Sequence, residues 1–254
     1  LSLTTLPGVF INHLESWLNG NAIFTTTTLL HYWSGFVTTI QLVFLSLVIG
    51  ICLALPLALM RTSRNKWINI PVWCFTYVFR GTPLLIQLYI IYYGVAVIPG
   101  IQQSIFWGVV KNPFYPTLLA FTLNTAAYTA EIIRGAIEAM PYGEIESARA
   151  YGMSKALMMR RIILPSSMRR ALPAYSNEVI LMLHASAIAS VVTIVDLTGA
   201  ARDIYARFYA PFNAFIFVAF IYLIITFTLI FIFKRVENRV MAHLSPISSQ
   251  QQAH

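Results

Sequence analysis

Apolar residues in this chain run almost unbroken over lengths of roughly 20 to 27 residues, separated by short polar clusters, where a soluble helix or strand would alternate. A helix rises about 1.5 Å per residue, so each run matches a hydrocarbon layer about 30 Å thick. Five membrane spans are predicted, at 34–60, 70–98, 115–137, 172–196 and 209–233. Residues 1–33 mix Pro7, Asn12, Glu15, Asn19, Gly20 and Asn21 with apolar positions and include the run Thr25–Thr28, which predicts an interfacial segment outside the bilayer. Residues 241–254, with Pro246, serines and glutamines, are expected to form a solvated, disordered tail. The expected fold class is an all-α integral membrane protein with its transmembrane domain over 34–240.

Composition agrees: 58% of residues are hydrophobic and 10% charged, a surface too apolar for a soluble domain. The formal charge of +8 does not point to nucleic acid, because the basic residues sort between the two sides of the membrane. Thirteen lysines and arginines lie after span one, around the 140–170 connection and after span five; only Lys111, Arg202 and Arg207 lie on the other side. The positive side is cytoplasmic, so the N-terminus is expected outside, in the periplasm, and the C-terminus inside. No lysine or arginine precedes Arg61, so no cleavable signal peptide is expected. Cys52 and Cys74 fall in apolar runs and read as packing residues; neither a disulfide nor a metal site is expected.

The long cytoplasmic connection, about 140–170, is structured. Glu144 and Glu146 favour a helix start, where they would face basic groups of a partner, and Gly152 ends that helix through Ala148 and Arg149. A second helix from Ser154 to Ile163 is expected to stop at Leu164 and Pro165. The result is a stiff helix–turn–helix suited to transmitting motion.

Ionisable groups inside a bilayer cost roughly 2.5–3.5 kcal/mol each, so each needs a partner or a purpose. Arg80, Gly81 and Pro83 sit ten residues or so into span two, and the glycine and proline predict a break that frees backbone carbonyls. Asn124, Tyr128, Glu131 and Arg134 recur every three or four residues, a single polar helix face in which Glu131 is expected to pair with Arg134. In span four, Glu178 and Asp196 are eighteen residues apart, five helical turns, with the small Ala185 and Ala189 between. That face, with Asn177 beside Glu178, is the expected substrate path. The other reading makes Glu178 the partner of Arg80 or Arg169, and Asp196 a helix cap. His184 points elsewhere and reads as a packing group.

Several runs resemble a known family. Glu146-Ser147-Ala148, then Gly152 and Ile162-Ile163-Leu164-Pro165, resemble the EAA loop of ABC importer permeases, with Ser147 where the family usually has alanine. Arg80-Gly81-Thr82-Pro83 and Ala127 to Glu131 resemble the polar amino-acid uptake subfamily. The stretch Ala174 to His184 is most similar to M-type permeases of histidine/lysine/arginine/ornithine importers. The resemblance implies a type I ABC importer transmembrane domain in the bacterial inner membrane. It implies a second permease subunit, either an identical copy or, as expected here, a paralogue forming a heterodimer, with two ATP-binding subunits and a periplasmic solute-binding protein. Glu144, Glu146, Ala148, Gly152, Leu164 and Pro165 are the expected ATPase-coupling set. No GxxxxGK[ST] loop is present, so ATP and magnesium are expected on the partner ATPase, with no cofactor and no catalytic residue on this chain. His184 and Ala185 stand where many relatives carry lysine and a polar residue, which favours a basic amino acid over glutamine, glutamate or an opine. A self-contained ion-coupled carrier or a membrane enzyme is the reading in another class.

Overall fold

The computed structural model describes residues 23–105 and 107–241. Residues 1–22 of the expected interfacial segment and 242–254 of the expected tail lie outside the described residues. Everything regular among the described residues is helical. Helix α1 spans Thr26–Arg61, α2 Lys66–Gly81, α3 Leu84–Ala96, α4 Phe114–Glu138 and α5 Tyr142–Ala150. A continuous helix, α6, runs Lys155–Val192, followed by α7 at Leu197–Phe208 and α8 at Pro211–Met241.

Prolines mark the starts. Pro83, Pro113 and Pro141 cap α3, α4 and α5, and Pro211 opens α8, all positions whose missing N–H has no intrahelical acceptor to lose. Helix α1 starts eight residues before its expected limit. Thr25 is its cap: Thr25 Oγ1 accepts from Thr28 N (3.4 Å) while Thr28 Oγ1 accepts from Thr25 N (2.9 Å). The threonine run, read as part of the interfacial segment, is therefore a capping box and a first helical turn.

Helices α1, α6 and α8 are long and apolar enough to cross a membrane, and α2 with α3 forms a fourth candidate, bent by 106° at Gly81–Pro83. Helix α4 coincides with the expected third span but is less apolar. It lies at the centre, packed by α1 along its length and also by α2, α3 and α6. The contact is close because α1 turns a stripe of small residues, Ser46, Gly50, Ala54 and Ala58, inward. At Gly50 a Cβ would stand 2.4 Å from Thr125 Cγ2, so the two backbones approach as far as glycine allows. Bilayer helices gain little from leaving lipid, so such van der Waals packing carries the association. Phe121, Leu42, Leu88 and Leu183 fill the centre of the bundle. Cys52 and Cys74 are free and exposed on the bundle surface; neither is an internal packing residue.

Two expectations about α6 fail. Its helix does not stop at Pro165. Residues Met159–Ile163 form a π turn immediately before the proline, and this wider turn relieves the clash between its ring and the preceding carbonyls. Nor does span four continue regularly to Asp196. After Ala185 the helix tightens to 3-10 geometry over Ser186–Val192, and Thr193 turns left-handed (φ 68°). The five-turn alignment of Glu178 with Asp196 is lost. The chain then forms α7, which the apolar pattern did not predict because α7 buries one face and exposes Arg202, Asp203 and Arg207 on the other.

Candidate functional site

The break between α2 and α3 opens a cavity of about 440 Å³ lined by Arg80, Gly81, Thr82, Pro83, Leu84, Asn124, Tyr128, Glu178, Leu181, Met182 and Ala185. Breaking a helix in a membrane frees carbonyls that water cannot reach. Here Gln87 and Asn124 take them. Gln87 Nε2 donates to Phe79 O (2.7 Å) and Thr82 O (3.0 Å), and Asn124 Nδ2 donates to Phe79 O (3.2 Å) and to Gln87 Oε1 (3.0 Å). Both amides are buried. The polar face read on α4 is thus split: Asn124 and Tyr128 serve the cavity, while Glu131 and Arg134 do not reach it.

Tyr128 holds Arg80. Its hydroxyl donates to Arg80 O (3.2 Å), and the Arg80 guanidinium carbon sits 5.3 Å from the centre of the Tyr128 ring. Glu178, almost fully buried on α6, faces Arg80 and Thr125 without forming an ion pair with Arg80 among the described residues. The cavity therefore has a cation on one wall, a carboxylate on another, and the small Ala185 leaving space between. Asn177 is exposed and does not line it.

Asp196 stands apart from this cavity, contrary to its expected place on the path. It is the cap of α7, with Oδ1 accepting from Gly199 N at 2.8 Å, and it is fully buried. Gly35 of α1 packs against its backbone so closely that a Cβ there would meet Asp196 O at 2.7 Å. The alternative role, a helix cap, is the geometry present, though of the following helix and not of span four. His184 bonds Thr226 of α8 at 3.0 Å.

Glu131 is the centre of a second network. Its carboxylate accepts from Arg134 Nε (2.7 Å), as its spacing suggested, and also from Arg61 Nε (2.9 Å) and Thr76 Oγ1 (2.9 Å). Arg61 bonds Asn69, and Arg134 bonds Glu138. One carboxylate thereby joins α1, α2 and α4. The partners on α1 and α2 are seventy and fifty-five residues away in sequence, which no local spacing reveals.

The cytoplasmic connection folds as a helix, a glycine turn and the start of α6. Gly152 is left-handed (φ 71°), with Gly152 N bonding Arg149 O (2.9 Å) and Met153 N bonding Ala148 O (3.1 Å), a Schellman cap. Two of the expected docking residues turn towards α6. Ala148 is buried with Met140, Met158 and Ile163, and Glu144 is held by Arg170 Nη2 (2.9 Å) and Ser166 Oγ (3.3 Å) of α6. An alanine one helical turn after an acid shares its face, so both turn towards α6 together. Glu146, Gly152 and Pro165 are exposed, as are Tyr142 and Tyr151; Leu164 is half-buried. The sequence suggested no docking role for the two exposed tyrosines at the ends of α5, and no role at the break for Gln87, whose signal was a lone amide within an apolar helix.

Comparison with known proteins gives this arrangement a context. The family described as "binding-protein-dependent transport system inner membrane component" matches residues 46–242. The chain is 51% identical over 222 residues to the histidine/lysine/arginine/ornithine transport system permease protein HisM of Escherichia coli (strain K12), covering 85% of this chain and 92% of that one. It is 41% identical over 215 residues to the octopine transport system permease protein OccM of Rhizobium meliloti, covering 85% and 88%. A solved amino acid ABC transporter with histidines superposes with a TM-score of 0.74 at 38% identity, over 82% of this chain and 94% of that one. These relatives are transport permeases, not enzymes, and their fold is that of type I ABC permeases. The chain belongs to the family of binding-protein-dependent transport system inner membrane components.

Proposed function

We propose that the chain is the permease subunit of an ATP-driven importer that carries basic amino acids, such as arginine, lysine, histidine or ornithine, across the bacterial inner membrane. The observation that carries this reading is the cavity at the α2–α3 break, with Arg80 on one wall and the buried Glu178 on another. A basic amino acid brings one carboxylate and cations at both ends. Arg80, steadied by Tyr128, fits the carboxylate, and Glu178 fits a cation; in a poorly hydrated cavity both attractions are stronger than in water. The HisM relatives, named for histidine/lysine/arginine/ornithine transport, support the same substrate class. Relatives named for octopine and nopaline transport support an opine as the second reading.

In this reading the bilayer is crossed five times, by α1, the bent α2–α3 pair, α4, α6 and α8, with the N-terminus in the periplasm. Helix α4 needs less apolar surface than the others because protein encloses it. The basic residues after α1, around α5 and in the last turns of α8 support that orientation. Glu146, Gly152, Pro165 and the flanking Tyr142 and Tyr151 form the face for an ATP-binding subunit, while Ala148 and Leu164 hold that face from behind. A second, paralogous permease, two ATP-binding subunits carrying ATP and magnesium, and a periplasmic binding protein complete the assembly. Replacing Glu178 by Gln is expected to lower arginine and lysine uptake by at least about tenfold in vesicles containing the assembled transporter. Unchanged uptake at equal amounts of complex removes the substrate role of Glu178.

A further inference from the structure

We infer that Glu144 is a positioning residue that latches the coupling helix α5 onto α6, so that displacement of α5 reaches the cavity helix without passing through the turn between them. The inference rests on the proposed coupling of this chain to an external ATPase.

The covalent route from α5 to the cavity is compliant. It passes the left-handed Gly152, four residues of α-helix at Lys155–Met158 and then the π turn Met159–Ile163 before reaching regular helix. A π turn has one more residue per hydrogen-bonded ring than an α turn and is a place where helices deform. A push on α5 delivered along this route would be absorbed there.

Glu144 bypasses it. From the first turn of α5 its two carboxylate oxygens reach Ser166 (3.3 Å) and Arg170 (2.9 Å), one helical turn apart and both beyond the π segment. Arg170 and Glu178 belong to the same helix, Leu164–Ala185. The second attachment of α5, the apolar cluster around Ala148, engages Met158 and Ile163, which lie before or within the π turn and so cannot replace the latch. Arg170 also has a reason to keep its partner: its Nε–H is buried without an acceptor among the described residues, so release of Glu144 would leave the guanidinium worse satisfied still. The ion pair decides between the two acids of α5: Glu144 has one, while Glu146 is exposed and makes none among the described residues.

The test uses the complete transporter, with its ATP-binding subunits and binding protein, in vesicles. Three forms are compared with the wild type: Glu144→Gln, Arg170→Gln, and the exchange of both charges, Glu144→Arg with Arg170→Glu. Each single change is expected to raise the ATP hydrolysed per amino acid imported by roughly threefold to tenfold, with the ATP-binding subunits still attached; the exchange should return the ratio to within about twofold of wild type. Amide hydrogen exchange over residues 142–150 in the same complexes should speed up in the single variants and slow again in the exchange. Unaltered exchange over 142–150 in Glu144→Gln overturns the latch whatever transport does. Loss of the ATP-binding subunits in Glu144→Gln but not in Arg170→Gln also overturns it, since Glu144 would then be a contact of the partner. The wild-type complex tests the importer reading separately: hydrolysis that ignores the binding protein and arginine counts against that reading, while the exchange measurement still decides the latch.

Discussion

Helices α4 and α8 show opposite solutions to life in a bilayer. Helix α8 is among the most apolar segments of the chain, yet only Ala214 and Val218 are buried in it. Helix α4 is rich in threonine and alanine, and thirteen of its residues are buried, including Asn124, Thr122, Thr125 and Thr129. In water the more apolar helix would be the core. Here lipid solvates the apolar one, and protein encloses the one that carries polar groups, because an amide or carboxylate in a membrane survives only where other protein satisfies it. Burial in this fold follows polarity and small size: the cavity, the Gln87–Asn124 pair and the Glu131 network each draw a polar side chain from α4.

If that contrast is right, substitutions on α4 and its contacts should cost far more than equal changes on α8. The largest effect is expected from Glu131→Ala, which removes the carboxylate that Arg61 and Arg134 share and leaves them only Asn69 and Glu138; a loss of about 3 kcal/mol is expected, read as failure to recover folded protein from detergent extracts. Gly50→Val comes next, at about 2–3 kcal/mol, because the new side chain collides with Thr125; a compensating Thr125→Ala should recover part of the thermal stability. Gln87→Ala leaves the Phe79 and Thr82 carbonyls short of donors and should cost about 1–3 kcal/mol in thermal unfolding of the purified complex. Gly152→Ala meets no neighbour and pays only for its left-handed backbone, about 1–2 kcal/mol, seen as faster proteolysis of the 142–155 segment. On α8, Phe227→Leu should change thermal stability by less than about 0.5 kcal/mol. A Phe227→Leu effect as large as that of Gln87→Ala would break the comparison.

Legibility divides along the same line. The apolar runs located α1, the α2–α3 region, α6 and α8 because their length answers to bilayer thickness, a one-dimensional constraint. The break at Gly81 and Pro83 was readable from those two residues, since each acts on its own backbone. The Glu131–Arg134 pair was readable too, being three residues apart on one helix. By contrast, the start of α1 was missed because threonines that look polar in sequence were capping a helix. The stop at Pro165 was wrongly expected because the π turn before it relieves the clash that proline normally imposes. Helix α7 was missed because an amphipathic surface helix leaves no long apolar run.

By itself, then, the sequence determined that the chain lives in a membrane, that the helix breaks at Gly81–Pro83, and which loop resembles the EAA pattern: each depends on residues near one another in the chain. Only the tertiary structure decided which polar groups meet. It set Arg80 and Glu178 on facing walls, removed Asp196 from that cavity to cap α7, and turned Glu144 and Ala148 towards α6 where the sequence suggested a docking face. The reason is physical: a side chain's direction depends on helical phase, and phase is lost at the π turn and 3-10 segment within α6 and at the left-handed residues on either side of it.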